Sequence, residues 1–459
     1  MEQILLTTSS NSVFSLLFLI FLTNHKNMLI FQRNVEASGC ARSQLLGSAL
    51  SASAWMGIVT IAICLPLASS GATFTWDGSS DNNIGTNANW AGNSAPPTPN
   101  SGASTDTFLF GAETGGAPDY IVNLDQGNNS DVQPVGFIDI ASNAGAYVFT
   151  NDGTNTFEVL GVSAGLTDPG DFYGIRNQSS NLITFDMDFI SAAQGGSSPM
   201  ERLIFDSGTG GLLFNGTISF NSNAKDIVMR GSSDITATES LNFDNTTGSS
   251  AVFQVQLDAA NTFEAQGTLQ DMPGVRLISG TLLLTHTGSD IIVDPSGTSK
   301  QTALEMQGGT LLFADAGAQT AAFRKTLTLS ADSTIDLGTG GTVTMRVASA
   351  SATAWTGGTI LSIENWKGTL GTGGGDDQIY FGTTSGGLTA GQLSQIRFVN
   401  PNGLAPGVYF GQILGDGEVV PGGLVPVPEP SAVAATVCLA MLIGWRERKR
   451  FKRCFAFFC

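Results

Sequence analysis

The paired carboxylates Asp186 and Asp188 are the first residues whose type and spacing could support chemistry. They lie in ITFDMDF (Ile183–Phe189), where polar and apolar residues alternate. This alternation places both aspartates on the outward face of a strand, and two carboxylates can act as acid and base on a glycosidic bond. Because outward aspartates are also typical of a solvated strand, we expect no catalytic residue and no enzymatic activity.

Other residues could bind a ligand, but each has a simpler interpretation. The segment GTGGGDDQ (Gly371–Gln378) has the glycines and aspartates of calcium loops but lacks their G-G-x-G-x-D spacing, which favours a plain turn. His286 follows a strand-like segment, and we expect it in a surface turn. Four tryptophans could stack on sugar rings, although core or cap packing is the default for them: Trp76, Trp90, Trp355 and Trp366.

Residues 73–430 form an acidic body. They hold 11 Lys and Arg against 35 Asp and Glu, a net charge of −24. Such a surface repels nucleic acid, so we expect no nucleic-acid partner. All five cysteines lie outside the body: Cys40, Cys64, Cys438, Cys454 and Cys459. The body therefore has no disulfide and no thiolate metal site, and we expect no cofactor.

Short alternating strands separated by glycine turns recur along the body. SGTLLLTHTGSD (Ser279–Asp290) and GGTLLFADAGAQ (Gly308–Gln319) are near copies whose Gly-Thr pairs lie 29 residues apart, and GGTVTMRV (Gly340–Val347) is a further copy. Repeats of this size stack on their neighbours and share a continuous core. They favour a right-handed parallel β-helix, a β-solenoid, over the competing pair of β-sandwiches.

One segment departs from the strand pattern. In GLTAGQLSQIRF (Gly387–Phe398), Thr389 followed by Gln392 forms a capping-box signature. We expect a short helix over Ala390–Arg397 that covers one end of the solenoid, because an open end exposes unpaired strand edges.

Two apolar stretches precede the body. The second, Ser51–Ala72, follows basic residues and ends with Ser70 and Ala72 at the spacing of a signal-peptidase site. We expect this stretch to be a signal helix that engages the Sec machinery, with signal cleavage by signal peptidase after Ala72. A retained membrane anchor is the alternative, and Met28 is a second candidate for the start of the chain.

The C-terminal segment combines three features. Pro428, Glu429 and Pro430 precede an apolar run, Ala432–Trp445, which is too short for an ordinary membrane span. A basic stop cluster follows and should remain cytoplasmic: Arg446, Arg448, Lys449, Arg450, Lys452 and Arg453. The segment predicts a short transmembrane helix that holds the chain for a membrane protease, with a simple short anchor as the alternative.

This three-part ending resembles the PEP-CTERM sorting signal of Gram-negative bacteria. The resemblance covers about 30 residues and implies recognition of Pro-Glu-Pro by an exosortase-type protease, transient residence in the inner membrane, and a link to exopolysaccharide and biofilm. The chain departs from the family pattern by adding CFAFFC (Cys454–Cys459) after the basic cluster.

The body carries a second resemblance. FTWDGSSDNNIGTNANWAGNSAPP (Phe74–Pro97), TFLFGAE (Thr107–Glu113) and ADSTIDLG (Ala331–Gly338) are similar to proteins with autotransporter-associated β-strand repeats. The resemblance implies a β-helical, passenger-like exterior domain. It is looser in the middle of the body.

Together these features predict an all-β protein with an N-terminal signal helix and a short C-terminal transmembrane helix. We expect an N-terminal extension and signal peptide (1–72), a β-strand-repeat β-helix domain (73–421), a linker (422–426), the sorting signal (427–453) and a tail extension (454–459). The expected function is structural or adhesive, at the cell surface or secreted, with extracellular polysaccharide as a candidate partner. A polysaccharide lyase or glycoside hydrolase is the alternative.

Overall fold

The computed structural model divides the chain into two compact units, Met1–Leu67 and Ala68–Cys459. The residues it describes are 15–21, 28–34, 43–45, 71–96, 106–113, 120–124, 132–151, 156–162, 171–192, 202–221, 226–243, 252–287, 291–293, 302–314, 317–424, 439 and 441–443.

The first unit contains three antiparallel strands in the order β1-β2-β3: β1 (Ser15–Phe21), β2 (Met28–Asn34) and β3 (Ser43–Leu45). The first apolar stretch of the sequence is therefore a strand over β1. The predicted signal helix falls on residues that lie outside the described part of the chain, except for its last two residues.

The second unit is built from short strands: β4 (Thr73–Trp76), β5 (Thr107–Phe110), β6 (Ile121–Leu124), β7 (Val132–Val135), β8 (Phe137–Ile140), β9 (Val148–Asn151), β10 (Thr156–Val159), β11 (Asp171–Asn177), β12 (Ile183–Asp186), β13 (Phe189–Ala192), β14 (Arg202–Asp206), β15 (Leu212–Phe214), β16 (Ile218–Asn221), β17 (Asp226–Gly231), β18 (Ile235–Ala237), β19 (Leu241–Asn242), β20 (Val252–Leu257), β21 (Thr262–Ala265), β22 (Leu269–Gln270), β23 (Gly274–Ser279), β24 (Thr281–Leu284), β25 (Ile292–Val293), β26 (Ala303–Met306), β27 (Thr310–Phe313), β28 (Ala318–Phe323), β29 (Leu327–Leu329), β30 (Ser333–Asp336), β31 (Thr342–Val347), β32 (Leu361–Glu364), β33 (Asp377–Phe381), β34 (Ile396–Val399), β35 (Val408–Ile413) and β36 (Val419–Leu424). It also contains the helix α1 (Ala390–Leu393) and two 3-10 turns, Asn87–Asn89 and Ser385–Gly387.

These strands stack into long parallel sheets. The first sheet has ten strands in the order β29-β26-β23-β20-β17-β14-β11-β8-β5-β4, and the second has thirteen, from β36 to β6. A third sheet of seven strands runs from β25 to β7, and β28, β31 and β33 form a separate three-stranded sheet. In the middle of the stack, hydrogen-bonded neighbours are three strands apart in the chain, so each coil gives one strand to each sheet. The fold is a parallel β-solenoid, as the sequence predicts.

The repeats found in the sequence correspond to stacked strands. Thr281 pairs with Thr310 and Leu284 with Phe313 in the second sheet, so the 29-residue spacing is one coil. The GGTVTMRV copy is placed differently: its strand β31 pairs with β28 and β33 in the three-stranded sheet. Similar local sequences therefore occupy two different sheets.

Aromatic side chains form a ladder inside the solenoid. Phe149, Phe185 and Phe214 occupy the same position on three successive strands. Their rings stack with centroid distances of 4.8 and 5.1 Å. In-register parallel pairing produces this ladder because it brings equivalent side chains to the spacing between strands, about 4.8 Å. All three side chains are buried and belong to a single core that extends along the solenoid.

The N-terminal end of the stack is covered by residues 77–96. Ala91 donates its backbone N–H to Thr75 at 2.8 Å, and Asp77 donates to Asn89 at 2.8 Å. The buried Asn89 side chain organises this segment: its Oδ1 accepts from two backbone N–H groups, and its Nδ2 donates to Asp81 at 2.7 Å. The segment thereby satisfies backbone groups at the edge of the first sheet.

The opposite end is closed by a reversal of strand direction. β34, β35 and β36 pair antiparallel, and α1 precedes them. The predicted capping box is present, with the Thr389 side chain accepting from Gln392 N and the Gln392 side chain accepting from Thr389 N. The helix ends at Leu393, however, and the prediction of helix to Arg397 is wrong. Ile396 is instead buried in a strand opposite Leu361, where sheet pairing outweighs the local helical pattern.

The last strand continues to Leu424, so 422–424 of the predicted linker belong to the folded sheet. Of the predicted transmembrane segment, the structure describes residues 439 and 441–443, which are helical and exposed. Among the described residues, no helix is long and apolar enough to cross a bilayer.

Candidate functional site

Charged side chains concentrate on the outer surface of the first sheet, which we name the arginine face. It is formed by the outward residues of β8, β11, β14, β17, β20, β23 and β26, which alternate with core residues along each strand. Its four arginines are all bound to carboxylates on neighbouring strands or one strand further along: Arg176, Arg202, Arg230 and Arg276.

Two columns of this face alternate in charge from strand to strand. One column runs Asp139, Arg176, Asp206 and Arg230, each directly opposite the next. Arg176 binds Asp139 through two hydrogen bonds, Nε to Oδ1 at 3.0 Å and Nη2 to Oδ2 at 2.7 Å. Arg230 binds Asp206 at 2.9 Å. Opposite charges at adjacent positions stabilise the pairing of strands, whereas like charges would destabilise it.

The second column runs Asp171, Arg202 and Asp226, also directly opposite one another. Arg202 Nε lies 2.7 Å from Asp171 Oδ1. Arg276, on a strand further along, reaches both Asp226 at 2.8 Å and Glu305 at 2.6 Å. The columns therefore join the coils from β8 to β26 by ion pairs.

Between the two columns lies an apolar cluster on the outside of the sheet. Phe137, Tyr173, Ile204 and Val228 are buried there, separate from the main core. The Phe137 and Tyr173 rings stack at 5.5 Å, and the Arg176 guanidinium lies 5.0 Å from the Tyr173 ring centroid. Because its rings are buried, this cluster does not offer an aromatic surface on which a sugar ring could stack.

The ion pairs hold the arginines in the charged form. The hydrogen bonding of the Arg176 guanidinium to the Asp139 carboxylate is the main cause that raises the pKa of Arg176. Burial acts to lower the pKa of Arg276, but its hydrogen bonds and charge interactions with Glu305 and Asp226 raise it overall. Burial raises the pKa of Asp226, against the effect of Arg276. These arginines are bound donors and offer little to an external anion.

The aspartates proposed for acid–base chemistry both face outward, as predicted. Asp186 and Asp188 are exposed, and Met187 between them is buried. Asp188 Oδ1 accepts the backbone N–H of Thr217 on the next coil at 2.8 Å. Asp234 Oδ1 accepts the backbone N–H of Thr262 in the same way, at 2.7 Å. Asp188 thus has a structural role that is repeated elsewhere in the solenoid.

The glycine-rich segment Gly371–Gln378 wraps around a carboxylate. Gly374 donates its N–H to both Glu418 oxygens, at 2.8 and 3.0 Å. Asp377 is buried and accepts from Val343 N at 3.1 Å and Lys367 N at 2.8 Å. The turn therefore gives the Gly374 N–H to a carboxylate of the chain itself, whereas a calcium loop directs oxygens at a cation.

Burial also perturbs the acids at this end of the solenoid. It raises the pKa of Asp377 to about 6, although the Lys367 ammonium and two backbone N–H groups act to lower it. Burial likewise raises the pKa of Glu418. Within the part of the chain that the structure describes, no group of three or more His, Cys, Asp or Glu side chains could hold a metal ion.

The remaining ligand candidates have structural roles. Trp76 and Trp90 are buried with ring centroids 5.3 Å apart, and Trp355 Nε1 donates to Leu327 O at 2.9 Å. Trp366 is buried and packs edge-to-face on a phenylalanine. The core or cap interpretation of the tryptophans is therefore confirmed. His286 is half-buried, and its backbone oxygen accepts from the Gln319 side chain at 3.0 Å.

The predicted processing sites are only partly within the described residues. The sorting motif, Pro428 to Pro430, and the basic cluster, Arg446 to Arg453, lie outside them. Ala72 is described and exposed: it donates its N–H to Asp106 Oδ1 at 2.8 Å and accepts from Thr107 N at 2.8 Å.

Comparison with known proteins gives no match: no family model, no curated protein and no solved structure is significantly similar to this chain.

Proposed function

We propose that this chain is an exported, non-enzymatic β-solenoid with a structural or adhesive role at the surface or in the extracellular matrix of a Gram-negative bacterium. The observation that carries the proposal is the arginine face. Its charges bind one another and its aromatic rings are buried, so it joins coils instead of presenting reactive groups. A stiff stack with an acidic surface suits a scaffold.

Export is supported by the two ends of the sequence. The signal-like stretch before Ala72 and the Pro428-Glu429-Pro430 tail each carry a basic flank of the kind that stays inside the cell, which supports a body outside the inner membrane. The partners implied are the Sec machinery, signal peptidase and an exosortase-type protease, followed by extracellular polysaccharide. A body without cysteine is compatible with both oxidising and reducing compartments. The support for export therefore comes from the two termini alone.

Fractionation and intact-mass measurement test this proposal. The body should be recovered outside the inner membrane, starting at Thr73 and lacking the residues after the sorting motif. A Pro428→Ala, Pro430→Ala double variant should keep its tail, whereas a substitution in the 422–426 linker, Val425→Ala, should not affect processing. Recovery of the full-length chain in the cytoplasm would overturn the proposal.

A polysaccharide-active enzyme is the second candidate, favoured by the exposure of Asp186 and Asp188 on one face. Incubation of the purified body with extracellular polysaccharide distinguishes the two. Release of reducing sugars or unsaturated ends that is lost in an Asp186→Asn, Asp188→Asn variant would establish the enzyme.

A further inference from the structure

The junction between Ala72 and Thr73 lies beside a carboxylate. Thr73 is the first residue of β4 and pairs with Thr107 in the first sheet. One position earlier, the exposed Ala72 donates its backbone N–H to Asp106 Oδ1 at 2.8 Å. The Asp106 carboxylate, which belongs to the second coil, therefore binds the backbone where the first coil begins.

The surrounding sequence contains no other cation. Residues 73–175 include 12 Asp and Glu but no Lys, Arg or His, and the first basic side chain of the body is Arg176. A chain that begins at Thr73 gains one positive charge in this region, its own α-ammonium group. The electrostatic field of the nearby acids favours that charge.

We propose that Asp106 binds the α-ammonium group that cleavage after Ala72 creates on Thr73. The inference rests on the proposed export and signal removal. The Thr73 nitrogen is one residue along the backbone from the N–H that Asp106 accepts, and the proposed contact requires the Asp106 side chain to rotate toward it. The Ala72 amide is an uncharged donor to the Asp106 carboxylate, whereas an ammonium group has three donors and a full positive charge, so its bond to the same carboxylate is stronger. Cleavage removes both Ala72 links to the second coil, its N–H to Asp106 and its carbonyl oxygen to Thr107 N, and the ammonium contact keeps the start of the first coil joined to Asp106.

The pH dependence of this contact has a defined sign. An unpaired α-amino group has a pKa of about 7.7–8.0, and a carboxylate partner raises it in the folded chain. The stabilisation is therefore fully present below about pH 7.7 and is lost as the pH rises through the raised folded value. Asp106 is the charged side chain that the structure places on the Ala72 backbone, and residues 73–175 contain no Lys, Arg or His.

Acylation of the α-amino group in a purified chain that begins at Thr73 tests the proposal. Acylating reagents attack only the neutral amine, so pairing protects it. At pH 8 we expect the wild-type amine to react about 3-fold more slowly than in Asp106→Asn. Asp258→Asn, which removes an exposed acid on a distant coil, should match the wild type and so controls for net charge.

A second comparison needs no substitution at Asp106. A chain that begins at Gly71 keeps the Ala72 bond to Asp106 but moves the ammonium two residues away, and its amine should react like that of Asp106→Asn. The proposal would be overturned by equal acylation rates for the chains starting at Thr73 and Gly71. Equal rates for the wild type and a folded Asp106→Asn would overturn it as well. N-terminal sequencing of exported protein tests the cleavage site separately, so failure of the two ideas can be told apart.

Discussion

The carboxylate of Asp139 receives two hydrogen bonds from the Arg176 guanidinium on the adjacent strand. The opposite side of Arg176 faces Asp206, so this arginine lies between two acids in one column of the arginine face. Because the charges alternate, the effect of each charged residue on stability depends on the residues opposite it on both adjacent strands.

Exchange of the first pair tests that dependence. Asp139→Asn should lower the free energy of unfolding by about 2 kcal/mol, because a partly buried guanidinium loses its two-bond partner. The exchange Asp139→Arg with Arg176→Asp should not restore stability, since the new aspartate would face Asp206. Urea unfolding measures both. Full recovery in the exchanged protein would show that the column acts as independent pairs.

Two adjacent glycines near the C-terminal end give a matched pair of substitutions. Neither Gly386 nor Gly387 has a positive φ, so backbone conformation is equally permissive at both. A Cβ on Gly387 would lie 1.7 Å from Phe381 O, whereas on Gly386 its nearest contact is 3.6 Å. We expect Gly387→Ala to cost about 3 kcal/mol or more and Gly386→Ala to stay within about 0.5 kcal/mol. Similar urea midpoints for the two variants would contradict this steric account.

Asp377 should make the free energy of unfolding decrease as the pH rises above about 4. Its folded pKa of about 6 lies above its ordinary value of 3.8, so the folded state binds the proton more tightly than the unfolded state. Its contribution to stability is therefore fully present below about pH 4 and is lost as the pH rises to about 6 and above. Urea unfolding from pH 4 to 7 should show this decline for the wild type relative to Asp377→Asn. A difference that stays constant over this range would contradict the raised pKa.

The outward aspartates should differ in stability although both are exposed. Asp188→Asn should lower the urea midpoint, because a neutral amide oxygen is a weaker acceptor for Thr217 N than a carboxylate. Asp186→Asn should leave the midpoint unchanged, and Asp234→Asn should resemble Asp188→Asn because it removes the same kind of link. Equal midpoints for all three variants would show that these links do not stabilise the stack.

The solenoid was predictable because some coils have equal lengths. The repeats that begin at Gly280 and Gly309 lie 29 residues apart in the chain, and their strands pair at the same separation. The ion pairs of the arginine face span unequal separations, 37 residues from Asp139 to Arg176 and 24 from Asp206 to Arg230. Loops of different length set these offsets, so the sequence alone could not show which charges would meet. The buried outer cluster around Tyr173 was missed for the same reason.

The ends of the stack carry a consequence for assembly. A column of parallel coils is a template on which further coils, from the same or another molecule, could continue to add. Here residues 77–96 occupy the first edge, and the reversed strands β35 and β36 change the polarity of the last one. Neither of these two edges therefore presents an open parallel strand to which a further coil could add.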